Sequence, residues 1–206
     1  NLPAGAGVAA VKGPRLCVCV FAKPPRAGLV KTRLIPELGP DAAARLARAF
    51  FDDVWAAMSS IGWADPVLAT TEVAAPEWTL PPGACVWPQG DGDLGQRMER
   101  VLRRGLETHA GAIAIGTDSP GLPRRILDTA RAALDRHDAV IGPSDDGGFY
   151  LLGVRRYPAG LLDDVPWSSR ETCARTMARL GGAGLSVAVL PRWFDVDTVG
   201  AGFHEK

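Results

Sequence analysis

Acidic residues are absent from the first 36 positions of this 206-residue chain, and net charge is absent from the whole, since 23 Lys and Arg meet 23 Asp and Glu. A duplex nucleic-acid binder needs a surplus of cations to neutralise several phosphates. A neutral chain lacks that surplus and leaves only a local phosphate site open. Cysteine is sparse, four residues with no C-x-x-C pair, and the three histidines form no H-x-x-x-H spacing, which argues against a zinc centre. Cys17 and Cys19, two apart in an apolar run, read as small buried hydrophobes on one strand face. No apolar run is long enough for a membrane span, and residues 1–14 lack the basic-then-apolar order of a signal peptide. The expectation is a soluble cytoplasmic protein with a flexible tail over 1–14 and one domain over 15–206. At 47% apolar residues, that length can bury a core without staples.

What is present is a sustained alternation. Residues 15–22 form an apolar run of strand type, followed by a loop with two prolines and a glycine. Pro40-Asp41 opens a helix with Leu46, Phe50, Val54 and Met58 as its apolar positions. Strands are expected at 67–71, 84–87, 112–116 and 139–142, with helices from the Gly-rich loop 89–95 to near His109 and over 123–136. The run 149–154 follows the previous strand too closely for a helical crossover, so it is expected to pair antiparallel. Ser168-x-x-Glu171 reads as a capping box for a last helix ending at Gly181-Gly182, before a strand at 185–190. Apolar strands between helices predict a three-layer α/β/α sandwich around a mostly parallel mixed sheet. Ligands of such sheets bind at the carboxyl ends of the strands.

Five strand-end loops carry polar chemistry. The first holds Lys23, Arg26, Lys31 and Arg33 with Gly28 and no acid, a composition suited to a polyphosphate. The second, Q-G-D-G-D-L-G-Q-R-M, matches G-x-G-x-x-G at Gly90, Gly92 and Gly95, but Asp91 and Asp93 inside the glycines would repel a pyrophosphate. Counting Asp91 as position 1 of an EF-hand puts Leu102 where the bidentate Glu belongs. The third, G-T-D-S-P-G-L, presents Asp118 for Mg²⁺ or Mn²⁺. Its Ser119 fails as a hydrolase nucleophile, because Thr117 replaces the first Gly of the elbow and Pro120 has no oxyanion N–H. The fourth holds Asp145 and Asp146, of which an extended backbone turns at most one into a site; the alternative is an ordinary turn. The fifth, W-F-D-V-D-T, offers Asp195 or Asp197 as a second metal carboxylate, or as a helix cap.

These motifs, with P-W-S-S, occur in the order that resembles the radical-SAM/selenodomain-associated transferase 1 family, GT-A-like members of the nucleotide-diphospho-sugar transferase superfamily. The resemblance runs from about Leu16 to Thr198. More distantly, the chain is similar to the 2-phospholactate and molybdenum-cofactor guanylyltransferases. The resemblance implies a GT-A type fold, with Lys23, Arg26, Lys31 and Arg33 on phosphate, residues 89–95 (Gln89, Gly90, Asp93 and Gly95 among them) near base and ribose, and Asp118 with Asp197 on the metal. Two departures stand out. Lys23-Pro24-Pro25 replaces the G-x-G-x-R start of many nucleotidyltransferases, and T-D-S replaces the D-x-D of glycosyltransferases.

The leading expectation is a metal-dependent transferase with a nucleotide-activated donor, labelled a glycosyltransferase. The cation held by Asp118 and Asp195 or Asp197 would neutralise the leaving diphosphate, with Asp145 or Asp146 as base on an acceptor hydroxyl. A nucleotidyltransferase, releasing pyrophosphate from NTP and a phosphorylated acceptor, uses the same parts. A nucleotide-binding module without turnover is the third reading. Trp167, beside P-W-S-S, is the candidate acceptor contact. Donor base, sugar, acceptor and oligomeric state stay open.

Overall fold

Apolar and β-branched segments form seven strands in a computed structural model that describes residues 15–196. They are β1 (Leu16–Ala22), β2 (Ala64–Thr70), β3 (Cys85–Pro88), β4 (Ala112–Gly116), β5 (Ala139–Pro143), β6 (Phe149–Val154) and β7 (Val187–Val189). The tail expected at 1–14 and Asp197 lie outside the described residues. The strands make one sheet in the order β3-β2-β1-β4-β6-β5-β7. β6 runs antiparallel to β4 and β5, and the other pairings are parallel. The short 144–148 connection cannot carry a crossover, so the chain must reverse there.

Among the described residues four helices cover the sheet, α2 (Pro40–Ser59), α3 (Leu94–Leu106), α4 (Arg124–Leu134) and α5 (Thr172–Gly182), and a single turn, α1 (Ile35–Leu38), leads into α2. Alternation along β1 divides the core. Val18 and Val20 pack with Phe51, Trp55, Leu127 and Leu134 from α2 and α4. Cys17 and Cys19, fully buried with their sulfurs 3.5 Å apart, pack with Met98, Leu102 and Leu180 from α3 and α5. This is the expected mixed three-layer sandwich. Among the described residues no helix is long and apolar enough to cross a membrane.

Two local expectations need correction. The buried stripe of α2 is Phe51, Val54, Trp55 and Met58, while Leu46 and Phe50 are half-buried. A strict spacing of four drifts about 40° per step around a 3.6-residue helix, so it cannot hold one face for four repeats. The Ser168–Glu171 capping box does not form. Ser168 is left-handed (φ 57°), and Glu171 precedes α5 without a side-chain cap. One residue later, the Ser169 N–H donates to Thr172 Oγ1 at 3.2 Å, and Thr172 Oγ1 donates to the Pro166 carbonyl at 2.5 Å. The reciprocal box belongs to α3: Gln96 N–H donates to Asp93 Oδ1 at 2.9 Å and Asp93 N–H to Gln96 Oε1 at 3.1 Å.

At the end of the sheet away from the strand-end loops, Asp138 latches the short edge strand β7. Its carboxylate pairs with Arg156 Nε at 3.0 Å and accepts from Ser186 N and Oγ, each at 2.9 Å. Arg156, then the Ser186 donors, hold the Asp138 carboxyl far below the usual carboxylate range. A depressed folded-state value gives stability that is full above the unfolded value of about 4 and is lost as pH falls through the folded one. Asp138→Ala should therefore lower Tm at pH 7, and the gap to the native protein should narrow below about pH 4. Thermal melts across that range check both signs.

Candidate active site

The basic loop after β1 is closed by its own backbone. Arg26 N–H donates to the Pro24 carbonyl at 2.7 Å, Leu29 N–H to the Arg26 carbonyl at 3.0 Å, and Gly28 supplies the left-handed turn at φ 82°. Lys31 is also left-handed (φ 47°, ψ 41°), at the entry to a 3₁₀ turn, Thr32–Leu34. Non-glycine residues seldom adopt that conformation without being held. What holds Lys31 is its side chain, only 7% exposed: Nζ lies 2.8 Å from Asp118 Oδ1, donates to the Val196 carbonyl at 2.7 Å and sits 5.0 Å from the Phe50 ring centroid. One ammonium thus fastens the first loop to the third loop, the C-terminal segment and α2.

Over the carboxyl ends of β1 and β4 lies a cleft of about 510 Å³. Ala47 and Phe51 of α2 form one wall, Leu94 and Arg97 of α3 with Ser168 the other, and Lys23, Gln89 and Asp118 lie between. Four cations, Lys23, Lys31, Arg33 and Arg97, face one carboxylate, Asp118. Such a cleft focuses positive potential and suits a polyanion.

The second loop supports this cleft more than it fills it. Gln89 is buried, and its amide Nε2 donates to the Ala69 carbonyl at 2.8 Å and the Ala22 carbonyl at 3.4 Å, tying the ends of β1 and β2. A Cβ on Gly90 or Gly92 would collide with the side chains of Arg100 and Gln96, so these glycines let the loop fold back on α3. Asp93 is occupied as the cap of α3. Gly95 lets Trp167 approach: a Cβ there would meet Trp167 Cζ2 and the Leu162 carbonyl, each at 3.0 Å. Trp167 also sits edge-on to Phe149, with ring centroids 6.2 Å apart. It wedges the segment before α5 against the first turn of α3.

Beside the cleft runs an arc of acids. Ser119 Oγ donates to Asp195, Ser144 Oγ donates to Asp146 Oδ1 at 2.6 Å, and Gly148 N–H donates to the same oxygen at 2.8 Å. The backbone draws the segments together: Val196 N–H donates to the Asp118 carbonyl at 2.8 Å and Asp145 N–H to the Trp193 carbonyl at 3.2 Å. Burial pushes the Asp195 carboxyl up; hydrogen bonds from Ser119 and Ser144 oppose this, and the charges of Asp146 and Asp118 reinforce it. A divalent ion fits that charge distribution. Among the described residues, however, no three His, Cys, Asp or Glu side chains gather as a ready-made metal cage.

Of the residues singled out from the sequence, Lys23, Lys31, Arg33, Gln89 and Asp118 line the cleft. Gly28, Gly90, Asp93, Gly95, Asp145, Asp146, Trp167 and Asp195 do not line it. Arg26 turns away to Glu77 (Nε–Oε1 2.7 Å) and Glu72 (Nη1–Oε2 3.3 Å). Arg97 takes its place as a cleft cation. It stands in the motif Q-R-M, four residues after the Asp93 cap of α3, and only the docking of that helix brings it to the cleft.

Residues 56–169, more than half of the chain, match the family described as "Uncharacterized protein conserved in bacteria (DUF2064)". The chain belongs to this family. A structure of 32% identity, covering 88% of this chain and 82% of its own at TM-score 0.82, is that of a candidate nucleotide-diphospho-sugar transferase from Desulfovibrio desulfuricans. At 12% identity and TM-score 0.55, a CMP:2-keto-3-deoxy-manno-octonic acid synthetase complexed with CTP covers 89% of this chain and 93% of its own. Rv0371c from Mycobacterium tuberculosis, in complex with manganese, covers 90% and 92% at 14% identity and TM-score 0.52. These last two show that the DUF2064 chain shares their fold. No curated protein matches the sequence.

Proposed function

We propose that the protein is a cytoplasmic, metal-dependent transferase using a nucleotide-activated donor, with a nucleotide sugar as the leading donor class, and that it belongs with the radical-SAM/selenodomain-associated transferases 1. The observation that carries this reading is the cleft at the ends of β1 and β4, where Lys23, Lys31 and Arg33 face Asp118. The Desulfovibrio relative and the CTP-bound and manganese-bound neighbours support it.

Asp118 and Asp195 are the described residues that would hold Mg²⁺ or Mn²⁺, with Asp197 as the further candidate. Two carboxylates are few, as is usual for Mg²⁺, which keeps waters and takes phosphate oxygens as its other ligands. When bound, the ion would supply charge neutralisation at the diphosphate. The chain's own part is electrostatic. Lys23, Lys31 and Arg33 stabilise negative charge as it develops on the leaving diphosphate, and Lys31, held by Asp118 and the Val196 carbonyl, spares reorganisation during the reaction. Gln89 keeps the floor of the cleft rigid, while Gly90, Asp93 and Gly95 hold the second loop against α3 and the segment before α5. We assign the base on the acceptor hydroxyl to Asp146 rather than Asp145, because Ser144 and Gly148 hold the Asp146 carboxylate in place while Asp145 faces Arg192.

Nucleotidyl transfer is the second reading. Arg97, a cleft cation on the side of α3, favours it by offering a place for a charged acceptor. Incubation with nucleotide sugars or with NTPs, each with Mn²⁺ and candidate acceptors, separates the two. The first reading expects loss of the sugar nucleotide without pyrophosphate. Pyrophosphate formed from NTP only when a phosphorylated acceptor is present would contradict it.

A further inference from the structure

The cleft is lined from both sides of the sheet. Its α2 lobe, the part beside the helix that packs on one face of β1, holds Lys31 and Arg33, and its α3 lobe, beside the helix that packs on the other face, holds Arg97. The two sets of cations are in different states. Lys31 is tied to Asp118 and Val196, whereas the Arg97 guanidinium makes no hydrogen bond or ion pair with any described residue, and its Nε is buried without a partner.

The burial of Arg97 makes this costly. The residue lies in the first turn of α3, whose end is capped by Asp93, and its own side chain is left without a partner. A partly buried guanidinium without hydrogen bonds is disfavoured by desolvation. An oxyanion entering the lobe relieves that cost. The same wall carries a second polar group. Trp167, wedged against Gly95, fixes the segment before α5, and the next residue, Ser168, is held left-handed at the cleft.

We propose that the Arg97 lobe is the acceptor subsite, and that the acceptor carries a phosphate or carboxylate received by the Arg97 guanidinium with the Ser168 hydroxyl beside it. This rests on the transferase reading, which places the donor's phosphates in the other lobe. The acceptor is then an anionic small molecule, and a neutral sugar or alcohol is a poor one. Arg offers a planar fork that matches both oxyanions, so the two chemistries are separated by experiment.

The test begins with the native protein saturated with a stabilising nucleotide and Mn²⁺, so that the Lys31 lobe is filled. Glycerol 3-phosphate, lactate and glycerol are then added and the thermal midpoint is followed. The expected result is a further rise with glycerol 3-phosphate or with lactate, whichever oxyanion the lobe takes, and none with glycerol. Arg97→Gln should weaken that response at least fivefold, Arg97→Lys should restore part of it, and nucleotide affinity should change less than twofold. Unliganded Arg97→Gln should melt no lower than the native protein, whereas a structural role for Arg97 would make it melt lower. If the oxyanion response is absent, or equal in the native protein and Arg97→Gln, the subsite is overturned and the transferase reading stands. If no nucleotide stabilises the protein but an oxyanion still does so through Arg97, the transferase reading fails and the anion site remains.

Discussion

Asp118→Ala is expected to abolish the metal-dependent part of nucleotide binding while leaving the fold in place. The carboxylate is 53% exposed, so its ion pair with Lys31 contributes under about 1 kcal/mol to stability. Lys31 keeps the Val196 carbonyl and the Phe50 ring after the change, and the Val196 N–H still finds the Asp118 backbone carbonyl. The ligand effect is far larger. A nucleotide present at a hundred times its Kd stabilises a protein by about 2.7 kcal/mol. For a chain of this length that amounts to roughly 5–10 °C in Tm. The native protein should show such a shift with Mn²⁺ and much less of it without. Asp118→Ala should show the same small shift in both conditions. A full Mn²⁺-dependent shift in the variant would remove Asp118 from the metal site.

Lys31→Met should be the most damaging single change in the cleft, because it strikes the fold and the ligand together. Methionine keeps the apolar stem over Phe50 but leaves the Val196 carbonyl without its donor and Asp118 without its cation. Hydrogen bonds to charged groups contribute about 1.5–3 kcal/mol. The expected cost is a Tm lower by roughly 3–12 °C, with nucleotide affinity reduced by about tenfold or more. Lys23→Met is the control. Lys23 is exposed and lines the same cleft, so its loss should weaken the nucleotide and leave Tm unchanged. Melting curves and nucleotide titrations of the two variants check the contrast. Equal Tm values for both would show that Lys31 does not bind the loops together.

Strands bounded by unambiguous turn residues were legible in the sequence: β4 and β6 begin and end where the apolar runs do. The expected strand at 67–71 caught β2 from Val67 on but missed its first three residues, Ala64 to Pro66, because a proline argues against a strand interior. The structure accommodates Pro66 at the start of the strand. Pairing with β3 begins only at Val67, so the missing N–H of Pro66 falls outside that ladder. In the site, the basic loop and the strand-end Asp118 could be read because they follow directly from β1 and β4. What could not be read were pairings over long sequence distances. Nothing near Arg26 announces Glu72 and Glu77, 46 and 51 residues further on, as its partners. Arg97 was hidden for another reason: inside a polar, amphipathic helix it looks like a solvated charge until α3 is docked with its first turn at the cleft. The charge segregation of the sequence, cations first and Asp later, reappears in space as the contact between Lys31 and Asp118.

A crystal structure of the protein grown with Mn²⁺ and the nucleotide that stabilises it tests the account most directly. The account predicts phosphates in the cleft within reach of Lys23 and Lys31, and the ion on Asp118. A nucleotide bound elsewhere, or phosphates in the cleft with an ion that does not touch Asp118, would contradict it.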